Sequence, residues 1–76
     1  MDSIFLKRLR DLREDQDKTQ EEIARLLKTT KQYYQKYEKG IHPLPLRHLS
    51  TLADFYGVSA DYILGRTNER KPYPRD

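Results

Sequence analysis

Apolar residues recur at helical spacing in separate short stretches, divided by polar or proline- and glycine-containing segments. In the first stretch, Phe5, Leu9 and Leu12 fall on one face together with Leu6. The charged residues lie largely on the outside: Lys7, Arg8, Arg10 and Asp11. This spacing is typical of an amphipathic helix and predicts one from residue 3 to about residue 14. The polar residues that follow predict a connector.

A second helix is predicted to begin after Thr19. Glu22 follows Thr19 by three residues, and this spacing lets the two residues cap each other's backbone amides. The apolar residues of this helix lie on one side of it: Ile23, Ala24, Leu26 and Leu27. The helix is expected to stop at Lys28-Thr29-Thr30, because threonines favour a turn and a new cap.

A third helix is predicted to open at Thr30 and to end before Gly40. Tyr34 and Tyr37 form its apolar edge, and glycine supplies the left-handed conformation that often terminates a helix. A buried tyrosine would also need a partner for its hydroxyl. The two short helices and the turn between them form a helix-turn-helix over residues 19 to 39.

Two further helices are predicted after the proline-containing loop. Pro45 suits the first turn of the fourth helix, whose apolar positions are Leu46, Leu49, Leu52, Ala53 and either Phe55 or Tyr56. Gly57 is expected to close it. Ser59 then caps a short fifth helix that ends at Gly65, and its apolar residues are Tyr62, Ile63 and Leu64.

The pattern therefore predicts an all-α fold, a compact five-helix domain over residues 1–65. Residues 66–76 have no helical periodicity, contain two prolines and are rich in charge. We expect them to form a mobile charged C-terminal tail.

Composition narrows the classes of function. The 76 residues form one small domain without cysteine, so a deep catalytic cleft, a disulfide framework and a cysteine-based metal site are not expected. The two histidines, His42 and His48, have no companion nucleophile or ligand cluster. We expect no enzyme activity, no metal, no cofactor and no small-molecule ligand. The short apolar runs and the start Met1-Asp2-Ser3 predict a cytoplasmic protein without membrane contact.

Positive charge is concentrated on the third helix. Residues 28–39 contain four lysines and one acid, although the net charge of the chain is only +3. An α-helix fits the DNA major groove, and a helix-turn-helix presents its second helix to base edges. Gln32 can pair with adenine, Lys31 and Lys36 can donate to guanine or phosphate, and the neighbouring Tyr33 can contact a thymine methyl or a phosphate.

The predicted phosphate contacts are Gln20, Thr30, Lys39 and Arg47. Gln20 lies at the start of the second helix, where free amides attract anions. Arg47 lies near the start of the fourth helix. There it either contacts the DNA backbone or is only a solvent-exposed surface residue. A single exposed lysine or glutamine on a helix usually serves only solubility, but the grouping of these residues on a helix-turn-helix favours DNA.

Three segments of the chain resemble the phage Cro and repressor-type (XRE) helix-turn-helix family. They are T-Q-E-E-I-A at 19–24, Y-E-K-G at 37–40 and L-A-D-F-Y-G-V-S-A-D-Y-I-L-G at 52–65. The resemblance covers about residues 4–65. It implies a lambda-repressor-like five-helix domain in which the helix after the turn reads DNA.

The resemblance also assigns roles to positions. It places the family's phosphate-contacting glutamine at Gln20 and its base-reading positions at Thr30, Lys31, Gln32 and Lys36. It implies a structural ion pair between Arg13 and Glu38, which would tie the first helix to the third. Two positions depart from the family pattern, because Lys28 stands where glycine is common and Tyr34 where an aliphatic residue is common. Lys28 is therefore predicted to need a left-handed backbone.

The leading functional hypothesis is a sequence-specific regulator of transcription, a repressor that occupies a palindromic operator on double-stranded DNA. One domain contacts few bases, so a homodimer is expected on the operator, with Tyr62, Ile63 and Leu64 as contributors to the interface or to the core. The alternative is a protein-interaction module, such as an antitoxin or an antagonist of another regulator, that uses the tail to bind its partner.

Overall fold

The computed structural model describes residues 3–71 and contains five helices and no strand in that range. Their bounds are α1 Ser3–Asp15, α2 Gln20–Leu26, α3 Lys31–Glu38, α4 Leu46–Tyr56 and α5 Ala60–Leu64. The predicted all-α, five-helix class is confirmed. α1 packs against α3 and α5, α2 packs against α3, and α4 packs against α5. None of these helices has the length and apolarity needed to cross a lipid bilayer.

The predicted capping box at the start of α2 is present. The Thr19 hydroxyl oxygen accepts a hydrogen bond from the Glu22 amide at 3.1 Å, and a carboxylate oxygen of Glu22 accepts one from the Thr19 amide at 2.9 Å. Each bond satisfies an amide that the helix itself leaves without a partner. The sequence therefore fixes the start of α2 locally.

The turn of the helix-turn-helix passes through a left-handed residue, as predicted. Lys28 has φ of 59°, and the Thr29 amide donates to the Ala24 carbonyl at 2.9 Å. Thr30 then caps α3 by accepting from the Tyr33 amide at 3.1 Å. These contacts set the angle at which α3 leaves α2.

Every helix contributes one face to the hydrophobic core. The most deeply buried side chains are Leu9, Ile23, Tyr34, Leu52 and Ile63. For the fifth helix this confirms that Ile63 belongs to the monomer core.

The fourth helix differs from its predicted apolar face. Leu46 is 81% exposed, because Pro45 is the cap and Leu46 is only the first helical residue. Tyr56, and not Phe55, is the buried aromatic residue near the end of α4. Gly57 ends the helix in the left-handed conformation, as predicted.

The first part of the expected tail contacts the domain. One guanidinium nitrogen of Arg8 donates to the carbonyls of Tyr62 and Thr67, both at 2.6 Å, and the other donates to Oδ1 of Asn68 at 2.7 Å. The Ser59 amide donates to the Arg70 carbonyl at 3.1 Å. Residues 67–70 are thus held along α1 and α5, and positions 72–76 of the expected tail lie outside the described residues.

Candidate nucleic-acid interface

The outer face of α3 carries the predicted base-reading residues in exposed positions. Lys31, Gln32 and Lys36 are all exposed to solvent. Within the described residues, no ion pair engages either lysine. The first turn of α3 contains no acidic residue, so no side chain of that turn offsets the repulsion between Lys31 and the positive end of the helix dipole. An anion such as a phosphate would relieve this repulsion.

Behind this face, the inner side of α3 is anchored by a two-point ion pair. Arg13 Nε lies 2.7 Å from Glu38 Oε2, and a terminal nitrogen of Arg13 donates to Oε1 at 3.2 Å. The two side chains are only 12% and 5% exposed, so water screens them little. The guanidinium also donates to the Lys18 carbonyl at 2.9 Å, in the connector before α2. One arginine therefore links α1, the connector and α3.

Two further side chains donate to the same carboxylate. The Tyr34 hydroxyl donates to Glu38 Oε2 at 2.6 Å, and Gln20 Nε2 donates to Oε1 at 3.2 Å. Tyr34 thereby obtains the hydroxyl partner that its burial requires. Gln20 is half-buried, and this bond fixes its amide between α2 and α3. Gln20, the predicted phosphate contact, therefore also has a hydrogen-bond partner within the protein.

The charges in this cluster follow from its contacts. Burial alone raises the pKa of Glu38, but the hydrogen bonds from Arg13, Tyr34 and Gln20 lower it, and the net pKa lies below the ordinary value. Its hydrogen bond with Glu38 raises the pKa of Arg13. Burial, followed by the nearby Glu38 charge, raises the pKa of Tyr34. At neutral pH the carboxylate is therefore charged and the hydroxyl remains a donor.

The remaining predicted contacts lie around α3. Thr30 is exposed at the cap, and Lys39 is exposed at the other end of the helix. Arg47 is exposed in the first turn of α4. Tyr33 is 45% exposed, and its ring lies against the ring of His42.

A groove beside α3 contains residues that sequence analysis did not combine. It has a volume of about 680 Å³, and its lining includes Lys28, Tyr33, His42 and Arg47. The turn, α3, the following loop and α4 each supply one of these four residues. Their separation in the sequence gives no periodic signal, so only the folded chain brings them together.

Comparison of the sequence with known proteins identifies its family. The helix-turn-helix family profile matches residues 9–63. An HTH-type transcriptional regulator of Bacillus subtilis (strain 168), the uncharacterized YobD, is 39% identical over 69 residues, which are 91% of this chain and 62% of YobD. The cryptic phage CTXphi transcriptional repressor RstR of Vibrio cholerae is 42% identical over 55 residues, which are 72% of this chain and 50% of RstR.

A third relative is the HTH-type transcriptional regulator AnsR of Bacillus subtilis (strain 168), 33% identical over 70 residues, which are 92% of this chain and 60% of AnsR. No solved structure gives a significant match. The chain belongs to the Cro/C1-type (XRE) helix-turn-helix family of DNA-binding domains, which is not a class of enzymes. It spans about half to three fifths of the length of these curated relatives.

Proposed function

We propose that this chain binds double-stranded DNA sequence-specifically and regulates transcription in the cytoplasm by blocking an operator. The observation that carries the proposal is the exposed lysine and glutamine face of α3, held rigidly from behind by the buried Arg13–Glu38 pair. A rigid helix loses little conformational freedom on entering the major groove, so its side chains can discriminate between base edges. Repression is favoured because RstR is named a transcriptional repressor.

The proposed contacts divide into two groups. Lys31, Gln32 and Lys36 face bases, and Gln32 has the paired donor and acceptor that suit adenine. Tyr33, beside them, lies where the bases meet the sugar-phosphate backbone and can contact both a thymine methyl and that backbone. Phosphates are contacted by Gln20, Thr30, Lys39 and Arg47. The first group sets sequence preference, and the second sets register and affinity.

A homodimer on a palindromic site supplies the remaining affinity. Ile4 and Leu64 are 47% and 37% exposed, at the beginning of α1 and the end of α5. The two ends are close together: the position that a Cβ on Gly65 would occupy lies 2.8 Å from Cγ2 of Ile4. We propose an apolar contact between two copies at these ends, and the dimer must hold its two copies of α3 about 34 to 36 Å apart to reach successive major grooves. Sedimentation with and without operator tests this part, and a complex with one protein per duplex contradicts it.

Selection of bound duplexes from random DNA by the immobilised chain tests the proposal as a whole. We expect recovery of a two-fold symmetric sequence. Its affinity should fall with salt, with a log–log slope of about 0.9 per phosphate contacted. Enrichment of no sequence after repeated rounds, or an affinity independent of salt, would reject the proposed function.

A further inference from the structure

The ring of Tyr33 is held in place although much of it is exposed. The ring of His42 stacks on it with centroids 5.0 Å apart and planes 21° apart. Tyr37, which is buried, meets the Tyr33 ring edge-on with centroids 5.4 Å apart. Stacked and edge-to-face contacts of this kind are favourable ring geometries. Tyr33 is thus supported from two sides before any ligand arrives.

The backbone after α3 fixes the position of His42. Gly40 has φ of 74°, and its amide donates to the Tyr37 carbonyl at 3.1 Å. The amides of Ile41 and His42 both donate to the Lys36 carbonyl, at 2.9 and 3.2 Å. This reversal satisfies carbonyls at the end of α3 and brings the loop back along the helix. The same helix therefore places both rings of the stack.

The groove that Tyr33 lines suits an anion with an apolar part. Lys28 and Arg47 supply positive charge, from the turn and from α4, and none of the described residues that line it is acidic. Aromatic and proline side chains supply apolar surface. Phosphate joined to deoxyribose matches both properties, and Tyr33 directly follows Gln32 on α3.

We propose that this groove holds the sugar-phosphate backbone of one DNA strand against Tyr33, and that His42 is a positioning residue that keeps the Tyr33 ring in place. This inference rests on the DNA-binding function proposed above. An aromatic wall that is already ordered loses less side-chain freedom when DNA binds. His42 therefore contributes to affinity through Tyr33 and not through a contact with a base.

The test compares four variants of the full chain: Tyr33→Ala, His42→Ala, their double variant and His42→Phe. Fluorescence anisotropy gives the affinity of each for the duplex recovered by selection, and thermal unfolding checks that each is folded. We expect His42→Ala to weaken binding roughly three- to tenfold, the effect of releasing one ordered side chain. The double variant should bind no more weakly than Tyr33→Ala, and His42→Phe should restore wild-type affinity because it keeps a flat ring. Ile41→Ala, an exposed neighbour in the same loop, should bind like the wild type.

The results separate this inference from the proposed function. Wild-type affinity in His42→Ala, full additivity of the two single losses, or no rescue by His42→Phe would overturn the role of His42 while specific wild-type binding stands. If the wild type binds no duplex, the function and the groove assignment fail together. Rescue by phenylalanine separates ring positioning from loss of a histidine contact with DNA, which phenylalanine cannot replace.

Discussion

The Tyr34 hydroxyl donates a 2.6 Å hydrogen bond to Oε2 of Glu38, the same carboxylate oxygen that lies 2.7 Å from Arg13 Nε. Tyr34 lies one helical turn before Glu38, so α3 itself creates this contact. The carboxylate is buried and charged, and such groups are stable in a protein interior only when they are paired and hydrogen-bonded. Tyr34 therefore supports the ion pair that joins α3 to α1.

Tyr34→Phe should destabilise the domain. A hydrogen bond to a charged group contributes about 1.5 to 3 kcal/mol, and the free energy of unfolding measured by urea denaturation should fall by a similar amount. The core volume is nearly unchanged, so the loss reports the hydroxyl and not a cavity.

Tyr56→Phe is the matched control. The Tyr56 hydroxyl is also buried, but it has no hydrogen-bond partner within the described residues. Removing a buried polar group without a partner should leave stability unchanged or raise it by up to about 1 kcal/mol. Equal losses in the free energy of unfolding of the two variants would show that the hydrogen bond from Tyr34 to Glu38 is not the cause of the destabilisation.

Acid should remove the contribution of Glu38. Because its pKa is lowered on folding, the stabilisation is full above the ordinary glutamate value of about 4.3 and is lost as the pH falls through the lower, folded value. Glu38→Gln should be less stable than the wild type at pH 7. Since protonated glutamate resembles glutamine, the two free energies of unfolding should converge as the pH falls from about 4.3 through the lower, folded pKa of Glu38. A constant difference across this range contradicts the assignment.

Lys28→Gly should stabilise the domain, because Lys28 adopts φ of 59°, which suits glycine. A side chain in this conformation costs about 1 to 2 kcal/mol, and in the glycine variant part of that gain is offset by a larger loss of backbone entropy on folding. The expected net gain in the free energy of unfolding is therefore about 1 kcal/mol. Lys28→Ala removes the same charge but keeps the strain, and it should give no gain. If alanine stabilises as much as glycine, charge and not backbone conformation is the cause.

Arg8→Ala should release the segment that follows α5. Three hydrogen bonds and the ring of Tyr62, 4.2 Å from the guanidinium carbon, hold Arg8 in place. We expect a loss of about 1 to 3 kcal/mol in stability and faster tryptic cleavage at Arg66 and Arg70. The affinity of one domain for a single half-site duplex should be unchanged, because Arg8 contacts none of the proposed DNA-binding residues. Lys7→Ala, which removes only a surface pair, should leave cleavage unaffected.

The sequence was informative where local rules act. The Thr19–Glu22 box and the Thr30 cap could be predicted, because each depends on residues within one turn of chain. The left-handed backbone of Lys28 was predicted from the family resemblance, since glycine is common at that position. The sequence could not decide whether Phe55 or Tyr56 faces the core at the end of α4. The two residues are adjacent, so a rotation of the helix about its axis would exchange them, and tertiary packing sets that rotation. The Tyr33–His42 stack and the Arg8 contacts with residues 67 and 68 needed the folded backbone.

The most direct test of the central claim is the affinity of Gln32→Ala for the selected duplex and for a scrambled duplex of equal length. Gln32 is exposed on α3 and is assigned to a base, so the variant should lose about 1 to 3 kcal/mol on the selected duplex only. Gln16→Ala, at an exposed glutamine outside the helix-turn-helix, should bind both duplexes like the wild type. If Gln32→Ala instead behaves like Gln16→Ala, α3 does not read DNA through this residue and the account is contradicted.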